Sequence, residues 1–357
     1  MQNRFNTIDG ETLMNKPLMP IRFVVQSLIP QGLSILAGTP KTGKSWLALW
    51  LCLQIAKGED VWNFKTEKGT TLYLCLEDSE NRIQSRLFDI TDNGSDNAYF
   101  TIASNAIGNG LEQQLENFVK EHPDTNFIVI DTLQKIRKIS YDNAYANDYR
   151  ELSILKSITD KLDVAVLLIH HLRKQGDTDP VNMISGTTGL TGAVDGLYVL
   201  KKDSRRTHTA KFIATGRDIE DREFTLDFDK VNHIWNFVSD DSAEPFSFSA
   251  DDAIVEIVDF IKAEEKFVGT ASELAEKMKT NVRPNILSKK LTQNQMLLTD
   301  MGITVSFSRT GKKRELMLKY EPLANDFSDG NDDNDGKNVI GYMPDLLSQP
   351  SLPSQVE

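Results

Sequence analysis

A glycine-rich segment near the N-terminus has the residue types and spacing that bind a polyphosphate. Residues 38–45 read Gly-Thr-Pro-Lys-Thr-Gly-Lys-Ser, which fits the pattern G-x-x-x-x-G-K-[ST] between an apolar run and an amphipathic one. In such a loop the backbone N–H groups face the phosphates, Lys44 bridges the β- and γ-phosphates, and Ser45 ligates Mg²⁺. The sequence therefore predicts an ATP and magnesium site. The residues assigned to nucleotide binding are Gly38, Thr39, Pro40, Lys41, Thr42, Gly43, Lys44, Ser45 and Trp46.

Two carboxylates follow apolar runs at the points where parallel strands would end. Asp131 closes the run Phe-Ile-Val-Ile-Asp, and we predict it as the second metal ligand beside Ser45. Glu77 follows the run 72–76, at the strand end where ligands of open parallel sheets bind, and we predict it as the general base for the attacking water. A surface glutamate that merely ends a strand is the alternative. Asp78 is predicted to cap the next helix.

Two adjacent histidines, His170 and His171, end a third apolar run. An imidazole at this edge of a sheet could hydrogen-bond the γ-phosphate and respond to its loss. A single histidine is more often a satisfied polar side chain, whereas a pair at the end of a buried strand favours a sensor. The residues alone do not choose between the two.

These side chains need a sheet that brings the ends of its strands together. From residue 32 to about 238, short β-rich runs alternate with longer helical ones, which predicts a mostly parallel sheet covered by helices. The continuous apolar runs predict buried parallel strands at 33–38, 71–77, 127–131 and 164–171. Helices are predicted at 44–57, 79–89, 111–121 and 148–162. After residue 192, four adjacent β runs predict an antiparallel extension, at 196–202, 209–215, 223–228 and 234–238.

A second, smaller domain is predicted after a linker rich in Ser, Asp and Pro. Amphipathic or capped segments predict helices at 251–264, 272–278 and 283–298, the second behind the capping-box pattern of Thr270 and Glu273. A hairpin with a basic, glycine-containing turn follows, which is the layout of a winged helix. The predicted organisation is an N-terminal segment at 1–22, an ATPase domain at 23–238, a linker at 239–249, a winged-helix-like domain at 250–323 and an acidic, disordered tail at 324–357.

Composition excludes several classes of protein. The hydrophobic fraction of 39% suffices for a packed core, and two cysteines cannot build a disulfide framework or a zinc site. The chain has no run of about 18 apolar residues and a polar N-terminus, so we expect a cytoplasmic protein without a membrane partner. The net charge of −12 is uneven: between residues 277 and 319, ten bases against two acids leave +8. Local charge decides which surface meets phosphate.

The order of the motifs resembles that of the RecA-like ATPases of the RecA/DnaB superfamily. The motifs are the phosphate loop, Glu77-Asp78, Asp131, His-His-Leu-Arg-Lys at 170–174, Ser-Gly-Thr-Thr-Gly at 185–189 and Thr-Gly-Arg-Asp at 215–218. The RepA-type hexameric plasmid helicases and the AAA-type ATPases of mobile elements are most similar.

The resemblance assigns roles to particular residues. It implies a base at Glu77, a metal held by Ser45 and Asp131, a γ-phosphate sensor at His171, and an arginine finger, Arg217, presented to the neighbouring subunit. Some relatives carry a lysine two residues before the finger, where this chain has Thr215. Because the finger comes from a neighbouring subunit, the resemblance implies that hydrolysis depends on assembly of a ring.

Basic residues in two loops and in the small domain are predicted to contact nucleic acid. The loops 135–147 and 173–192 follow the strands that end at Asp131 and His171, where RecA-like proteins hold single-stranded DNA. The alternatives are solvated loops and a helical module that binds protein. The predicted contacts are Lys135, Arg137, Lys138, Arg173 and Lys174 in the loops, Lys289 and Lys290 on a recognition helix, and Lys312, Lys313 and Arg314 at the wing tip.

The function predicted from these observations is a DNA-dependent ATPase, a hexameric replicative helicase of a plasmid, phage or mobile element that translocates on single-stranded DNA. The winged helix could add contacts to duplex DNA. The roughly 20 residues before the ATPase domain are too few for a helical collar, so a primase or initiator partner must dock elsewhere. The alternative is a non-translocating, ATP-switched DNA-binding regulator or recombination mediator. A small-molecule kinase is disfavoured, since the sequence has no legible lid or acceptor site.

Overall fold

The chain divides into two compact units. The larger is Leu18–Ser249, and the smaller combines Ala250–Glu357 with Met1–Pro17. The computed structural model describes residues 7–15, 21–137, 144–172, 184, 192–202, 204, 207–242, 250–310 and 313–322. The described part of the N-terminal segment contains one short helix, α1 (Gly10–Asn15).

A nine-stranded sheet, counted over the described residues, forms the centre of the larger unit. A hairpin of β1 (Phe23–Val25) and β2 (Ile29–Pro30) precedes it in the chain. The strands of the large sheet are β3 (Gly32–Gly38), β4 (Thr70–Cys75), β5 (Ala98–Thr101), β6 (Thr125–Asp131), β7 (Ala165–His171), β8 (Gly196–Lys201), β9 (Thr209–Gly216), β10 (Arg222–Phe228) and β11 (Trp235–Asp240). Their spatial order is β11-β10-β9-β8-β3-β7-β6-β4-β5. The helices between them are α2 (Lys44–Lys57), α3 (Glu80–Ile90), α4 (Leu111–Glu121), α5 (Leu133–Ile136) and α6 (Ala144–Leu162).

The predicted architecture, a mostly parallel sheet flanked by helices with antiparallel strands added at one side, is confirmed. The parallel pairs are β3 with β7, β3 with β8, β6 with β7, β4 with β6 and β4 with β5, and β9, β10 and β11 continue the sheet in antiparallel fashion. One detail differs: β8, predicted as part of the antiparallel extension, pairs in antiparallel fashion with β9 but in parallel with β3 on its other side. The antiparallel part therefore begins at the β8–β9 pair.

Both faces of the sheet are buried, which explains the continuous apolar runs. Side chains alternate along β3, so that Leu36 joins one hydrophobic cluster, with Leu47 and Ile55 of α2. Ile35 faces the other side and joins a second cluster with Leu155 of α6. A parallel sheet covered on both faces has no solvated side, so its strands carry no polar alternation.

The smaller unit packs helices against a three-stranded antiparallel sheet with the order β12-β14-β13. Its elements in chain order are α7 (Ala250–Glu264), β12 (Lys266–Gly269), α8 (Ala271–Met278), α9 (Pro284–Gln293), α10 (Gln295–Asp300), β13 (Ile303–Thr310) and β14 (Lys313–Tyr320). Its core contains Ile257 and Ile261 of α7, Leu274 of α8, and Leu287 and Leu291 of α9. None of the helices in the described ranges is long and apolar enough to cross a bilayer.

Two local predictions in this unit have different outcomes. The capping box is confirmed: the Glu273 N–H donates to Thr270 Oγ1 at 3.3 Å and the Thr270 N–H donates to Glu273 Oε2 at 2.7 Å. The single helix predicted at 283–298 is divided into α9 and α10 at Asn294. Both the backbone N–H and the side-chain amide of Asn294 donate to the carbonyl of Lys290, at 2.9 and 3.0 Å, so the asparagine ends α9.

Candidate active site

The loop of residues 38–45, here called the phosphate loop, joins β3 to α2. Gly43 has φ 101°, a left-handed conformation in which a side chain is strained, and a Cβ there would lie 3.0 Å from Trp235 Nε1. That indole N–H donates to the Gly43 carbonyl at 3.3 Å. The Lys44 Nζ atom donates to the carbonyls of Gly38 and Thr39, at 2.9 and 3.1 Å. The lysine is thus held against the loop.

An open cleft of about 490 Å³ lies along this loop and brings together the residues that the sequence singled out. It is lined by Pro40, Lys41, Thr42, Gly43, Lys44, Ser45, Trp46, Glu77, Arg86, Asp131, Thr132, Ile169, His171, Lys202 and Phe228. The predicted lysine, both carboxylates and one histidine therefore share one cleft, although they come from four different elements or strand ends. The parallel pairing of β4, β6, β7 and β3 places these ends at one edge of the sheet.

Asp131 is buried at the end of β6 and is fixed by two hydroxyl groups. The Tyr73 hydroxyl donates to Asp131 Oδ2 at 2.8 Å, and the side chain of Ser45 also hydrogen-bonds the carboxylate. Burial raises the pKa of Asp131 above its ordinary value, although both hydrogen bonds act in the opposite direction. The carboxylate is therefore held in a place where a positive charge would stabilise it.

Glu77 lies exposed in the cleft, two residues after β4. The hydroxyl of Thr132 donates to Glu77 Oε1 at 3.1 Å and orients the carboxylate toward the end of β6. The helix-cap role predicted for Asp78 is wrong, because the N-cap position of α3 is occupied by Ser79. The Asp78 carboxylate instead pairs with Arg82 at 2.9 Å and with Arg86 at 2.5 Å.

His171, not His170, lines the cleft. The His171 Nδ1 atom is buried and has no hydrogen-bond partner within the described part of the chain. Burial, and then the charge of Lys44, lower the pKa of His171. A neutral imidazole beside the lysine can accept a hydrogen bond from a ligand or donate one to it. His170, the other candidate, is buried in the sheet, with 6% of its surface exposed.

Arg217 lies at the edge of the sheet formed by the amino ends of β3 and β8, opposite the edge formed by the carboxyl ends, which carries the phosphate loop. Gly216, at the end of β9, pairs with Gly196 at the start of β8, and Gly196 pairs with Ser34 near the start of β3. Gly38, the first residue of the phosphate loop, lies four residues further along β3 than Ser34. At about 3.3 Å per residue this is about 13 Å, further than an arginine side chain reaches.

A family model described as an AAA domain matches residues 4–177, slightly under half of the chain. Together with the sheet order and the sequence of the phosphate loop, this match indicates that the larger unit is a P-loop nucleotide-binding domain, similar to AAA domains over these residues. No curated protein sequence matches the chain significantly.

Two solved structures are similar to the chain in fold. The structure titled "ATPase Domain of G40P" matches with a TM-score of 0.49 and 15% identity over 58% of this chain and 85% of that chain. The structure titled "The Structure Of A DnaB-Like Replicative Helicase And Its Interactions With Primase" matches with a TM-score of 0.47 and 18% identity. The second match covers 58% of this chain and 58% of that chain.

The electrostatics of the cleft suit a triphosphate with its metal. Burial lowers the pKa of Lys44 to about 8, although Asp131 and Glu77 act in the opposite direction. Lys44 is 6% exposed and would be stabilised by an anion, as Asp131 would be by a cation. A magnesium–triphosphate complex supplies both charges.

Ser45 and Asp131 fit a magnesium ion in the kind of ligand that they offer. Their side chains hydrogen-bond each other, so a hydroxyl and a carboxylate oxygen are adjacent, and Mg²⁺ prefers such oxygens together with waters and phosphate oxygens. Among the described residues, no group of three or more His, Cys, Asp and Glu side chains could hold a metal ion by itself. When bound, the ion neutralises negative charge on the phosphates.

Five residues that line the cleft were missed by the sequence analysis: Arg86, Thr132, Ile169, Lys202 and Phe228. Lys202 follows β8 at the edge of the phosphate loop, with its Nζ atom 4.9 Å from the ring centre of Trp235 and 5.5 Å from that of Phe228. Lys202 and Phe228 end strands, which is the signal that could have found them. Arg86 lies inside α3, with its guanidinium 5.3 Å from the ring centre of Trp46, and no signal in the sequence points to it.

The residues predicted to contact nucleic acid differ in exposure, and some of them lie outside the described part of the chain. Lys135 is exposed on α5, and Lys289 is exposed on α9. Lys290 is half-buried on the same helix. Arg137 is largely buried and pairs with Glu151 at 2.7 Å, so its guanidinium is already engaged within the fold. Lys138, Arg173, Lys174 and Lys312 lie outside the described residues, as do the side chains of Lys313 and Arg314.

Proposed function

We propose that the protein is a DNA-dependent ATPase that works as a ring-forming replicative helicase, with each ATP held between two subunits. The observation that carries this proposal is the separation of the hydrolytic residues. Lys44, Glu77, Asp131 and His171 line one cleft, whereas Arg217 lies at the opposite edge of the same sheet. In a closed ring of identical copies, the cleft edge of each subunit faces the Arg217 edge of the next.

Each residue then has a defined part in hydrolysis. Lys44 and the phosphate loop bind the β- and γ-phosphates, and Ser45 and Asp131 hold the magnesium ion. Glu77 accepts the proton of the attacking water, and the Thr132 hydroxyl orients its carboxylate. His171 hydrogen-bonds the γ-phosphate and responds to its loss.

The remaining part belongs to the neighbouring subunit. Arg217 from that subunit stabilises the charge that develops on the transferred phosphoryl group. Such an arginine contributes on the order of 10³ to 10⁵ in rate. Hydrolysis is therefore slow in an isolated subunit.

Single-stranded DNA is the proposed partner of the ring centre. Asp131 and His171 are the last residues of β6 and β7, and the segments proposed to bind DNA come directly after them. A change at the γ-phosphate can therefore act on these segments directly. Lys135 supports this proposal, because it is exposed four residues after Asp131. A plasmid, phage or mobile-element origin, a RepA-type ring of six subunits, and a primase or initiator partner all belong to this proposal.

DNA-stimulated phosphate release tests the proposed function. A single-stranded oligonucleotide should raise the turnover of the wild-type protein. In the presence of ATP, the wild-type protein should unwind a forked duplex, whereas the Lys44→Ala variant should not. Lys135→Ala should weaken the stimulation and its salt dependence. Lys161→Ala, which removes an exposed lysine that pairs with Glu116, is the matched control. Turnover that ignores DNA, in a protein that unwinds nothing, would contradict the proposal.

The smaller unit favours a second candidate, an ATP-switched DNA-binding regulator or recombination mediator. Its three-stranded sheet, the preceding helices and the exposed Lys289 on α9 support a winged helix that reads duplex DNA. Unwinding separates the two candidates. A regulator would bind duplex DNA in a nucleotide-dependent way and leave a forked duplex intact.

A further inference from the structure

Asp195 joins three elements at the edge of the sheet that carries Arg217. It lies immediately before β8, and its backbone N–H donates to the Leu33 carbonyl at 2.8 Å while its Oδ2 atom accepts the Leu33 N–H at 2.9 Å. Lys156 of α6 lies 2.7 Å from the same oxygen. Asp195 is 8% exposed. The carboxylate is therefore fixed to the beginning of β3, the strand that leads to the phosphate loop.

The backbone and side chain of Arg217 are both attached to this point. The Arg217 N–H donates to the Asp195 carbonyl at 2.9 Å, one guanidinium nitrogen lies 3.6 Å from Asp195 Oδ1, and another donates to the Gly192 carbonyl at 3.2 Å. The arginine side chain nevertheless remains 60% exposed. A guanidinium has five N–H donors, so the two anchored nitrogens leave others that can face a ligand outside the subunit.

Two glycines leave the space that this arrangement requires. A Cβ at Gly32, which has φ 113°, would lie under 3.0 Å from the Asp195 carboxylate. A Cβ at Gly216 would lie equally close to the Asp195 carbonyl oxygen. The carboxylate and the carbonyl that hold Arg217 can approach because these two positions have no side chain.

A purely structural ion pair does not account for Arg217. Lys156, which also pairs with Asp160 at 2.6 Å, is closer to Asp195 than Arg217 is, 2.7 against 3.6 Å, and supplies a positive charge beside the buried carboxylate. The exposed guanidinium is thus not needed to neutralise Asp195. Asp195 instead restricts the orientation of Arg217, and an arginine that is oriented before it meets a phosphate loses less conformational freedom on contact.

We propose that Asp195 is a positioning residue for Arg217: it holds the guanidinium ready for the triphosphate bound by the neighbouring subunit. The inference rests on the proposed role of Arg217. It also links the Arg217 edge of one subunit to the start of its own β3.

The test is the variant Asp195→Asn, whose amide oxygen can still accept the Leu33 N–H but whose side chain no longer pairs with the guanidinium by charge. The expected result is a fall in kcat of about tenfold or more, a part of what an arginine finger contributes. KM for ATP, nucleotide binding and assembly should stay within about twofold, since Asp195 does not touch its own subunit's cleft. Lys156→Met removes the other cation and is the matched control, with kcat expected to change by less than about threefold.

Mixed assemblies give a readout that a structural role would not produce. Asp195→Asn subunits keep an intact cleft, and Glu77→Gln subunits keep an intact Arg217. Mixing the two impaired variants should therefore restore turnover wherever the cleft of an Asp195→Asn subunit faces Arg217 of a Glu77→Gln subunit. If Asp195→Asn does not fold, Asp195→Ser, with a smaller side chain that also accepts the Leu33 N–H, replaces it in the same experiment.

Arg217→Ala, measured in parallel, separates the two ways of failing. Loss of turnover in Arg217→Ala together with a wild-type kcat in Asp195→Asn would overturn the positioning role alone. The positioning role alone would also be overturned if the mixture of Asp195→Asn and Glu77→Gln subunits stayed inactive although both variants bind nucleotide and assemble. Full turnover in Arg217→Ala would overturn the proposed finger itself and the positioning role with it.

Discussion

At the scale of single residues, the cleft is defined by charges that the fold holds away from water. Lys44 and Asp131 are both buried, with their pKa values shifted in the directions that disfavour their charged forms. Each is therefore stabilised when a ligand of the opposite charge arrives. A ligand that carries phosphates and a cation together would stabilise both residues, and the sequence motif predicts the same kind of ligand.

The shifted pKa of Lys44 predicts how nucleotide affinity depends on pH. The free protein has a pKa of about 8 at Lys44, and a bound triphosphate raises it by favouring the charged ammonium. Above pH 8 binding must therefore take up a proton, so the affinity should fall by up to about tenfold per pH unit, and it should be flat below pH 8. A fluorescent ATP analogue titrated from pH 7 to 9.5 measures this. Lys44→Arg, which stays charged, should show no such fall, and a flat wild-type profile would contradict the assignment.

The assignment of Glu77 as the base predicts a variant that binds without turning over. Glu77→Gln should retain nucleotide binding and assembly, since the Thr132 hydroxyl can also donate to an amide oxygen, while hydrolysis drops by about 10² or more. Single-turnover phosphate release and analogue binding measure the two properties. Glu80→Gln, the same change at an exposed position of α3, is the control and should keep wild-type turnover. Loss of binding in Glu77→Gln would remove it from the base role.

At the scale of elements, the carboxyl ends of parallel strands carry the chemistry, and this part was predictable. Asp131, His171 and the phosphate loop each follow a continuous apolar run, so their meeting at one edge follows from the parallel pairing of those strands. Lys202 obeys the same rule and was missed, because its strand was expected in the antiparallel extension. The engagement of Arg137 by Glu151 depends on how α6 packs, which no pattern in the sequence shows.

The hairpin of β10 and β11 supports the phosphate loop, and this role is testable. Trp235 is fully buried, and its indole N–H donates to the Gly43 carbonyl at 3.3 Å. Trp235→Phe keeps a ring but removes this donor, so nucleotide affinity should fall by about fivefold, the equivalent of about 1 kcal/mol. Trp62→Phe removes a hydrogen bond of the same kind, to the Trp235 carbonyl at 2.7 Å, and is the control for stability. Equal affinity losses in both variants would contradict a specific support of the loop.

At the scale of the whole molecule, we propose that one chain carries both halves of a hydrolytic site but cannot bring them together. The position of Arg217 follows from a chain of registers, Ser34 with Gly196 and Gly196 with Gly216, which places the end of β9 away from the phosphate loop. The resemblance implies an arginine finger at Arg217, and under that proposed role the distance of Arg217 from the phosphate loop requires a second subunit. Rings of identical chains satisfy this requirement at every interface.

Turnover per chain, measured as a function of protein concentration with the assembly state followed by light scattering, tests this account most directly. The account predicts that turnover per chain rises with the assembled fraction and is lower by on the order of 10³ in the monomer, as expected for a site without its arginine. Arg217→Ala should assemble in the same concentration range and stay at the monomer rate throughout. A monomeric wild-type protein that hydrolyses ATP at the rate of the assembled form would contradict the account.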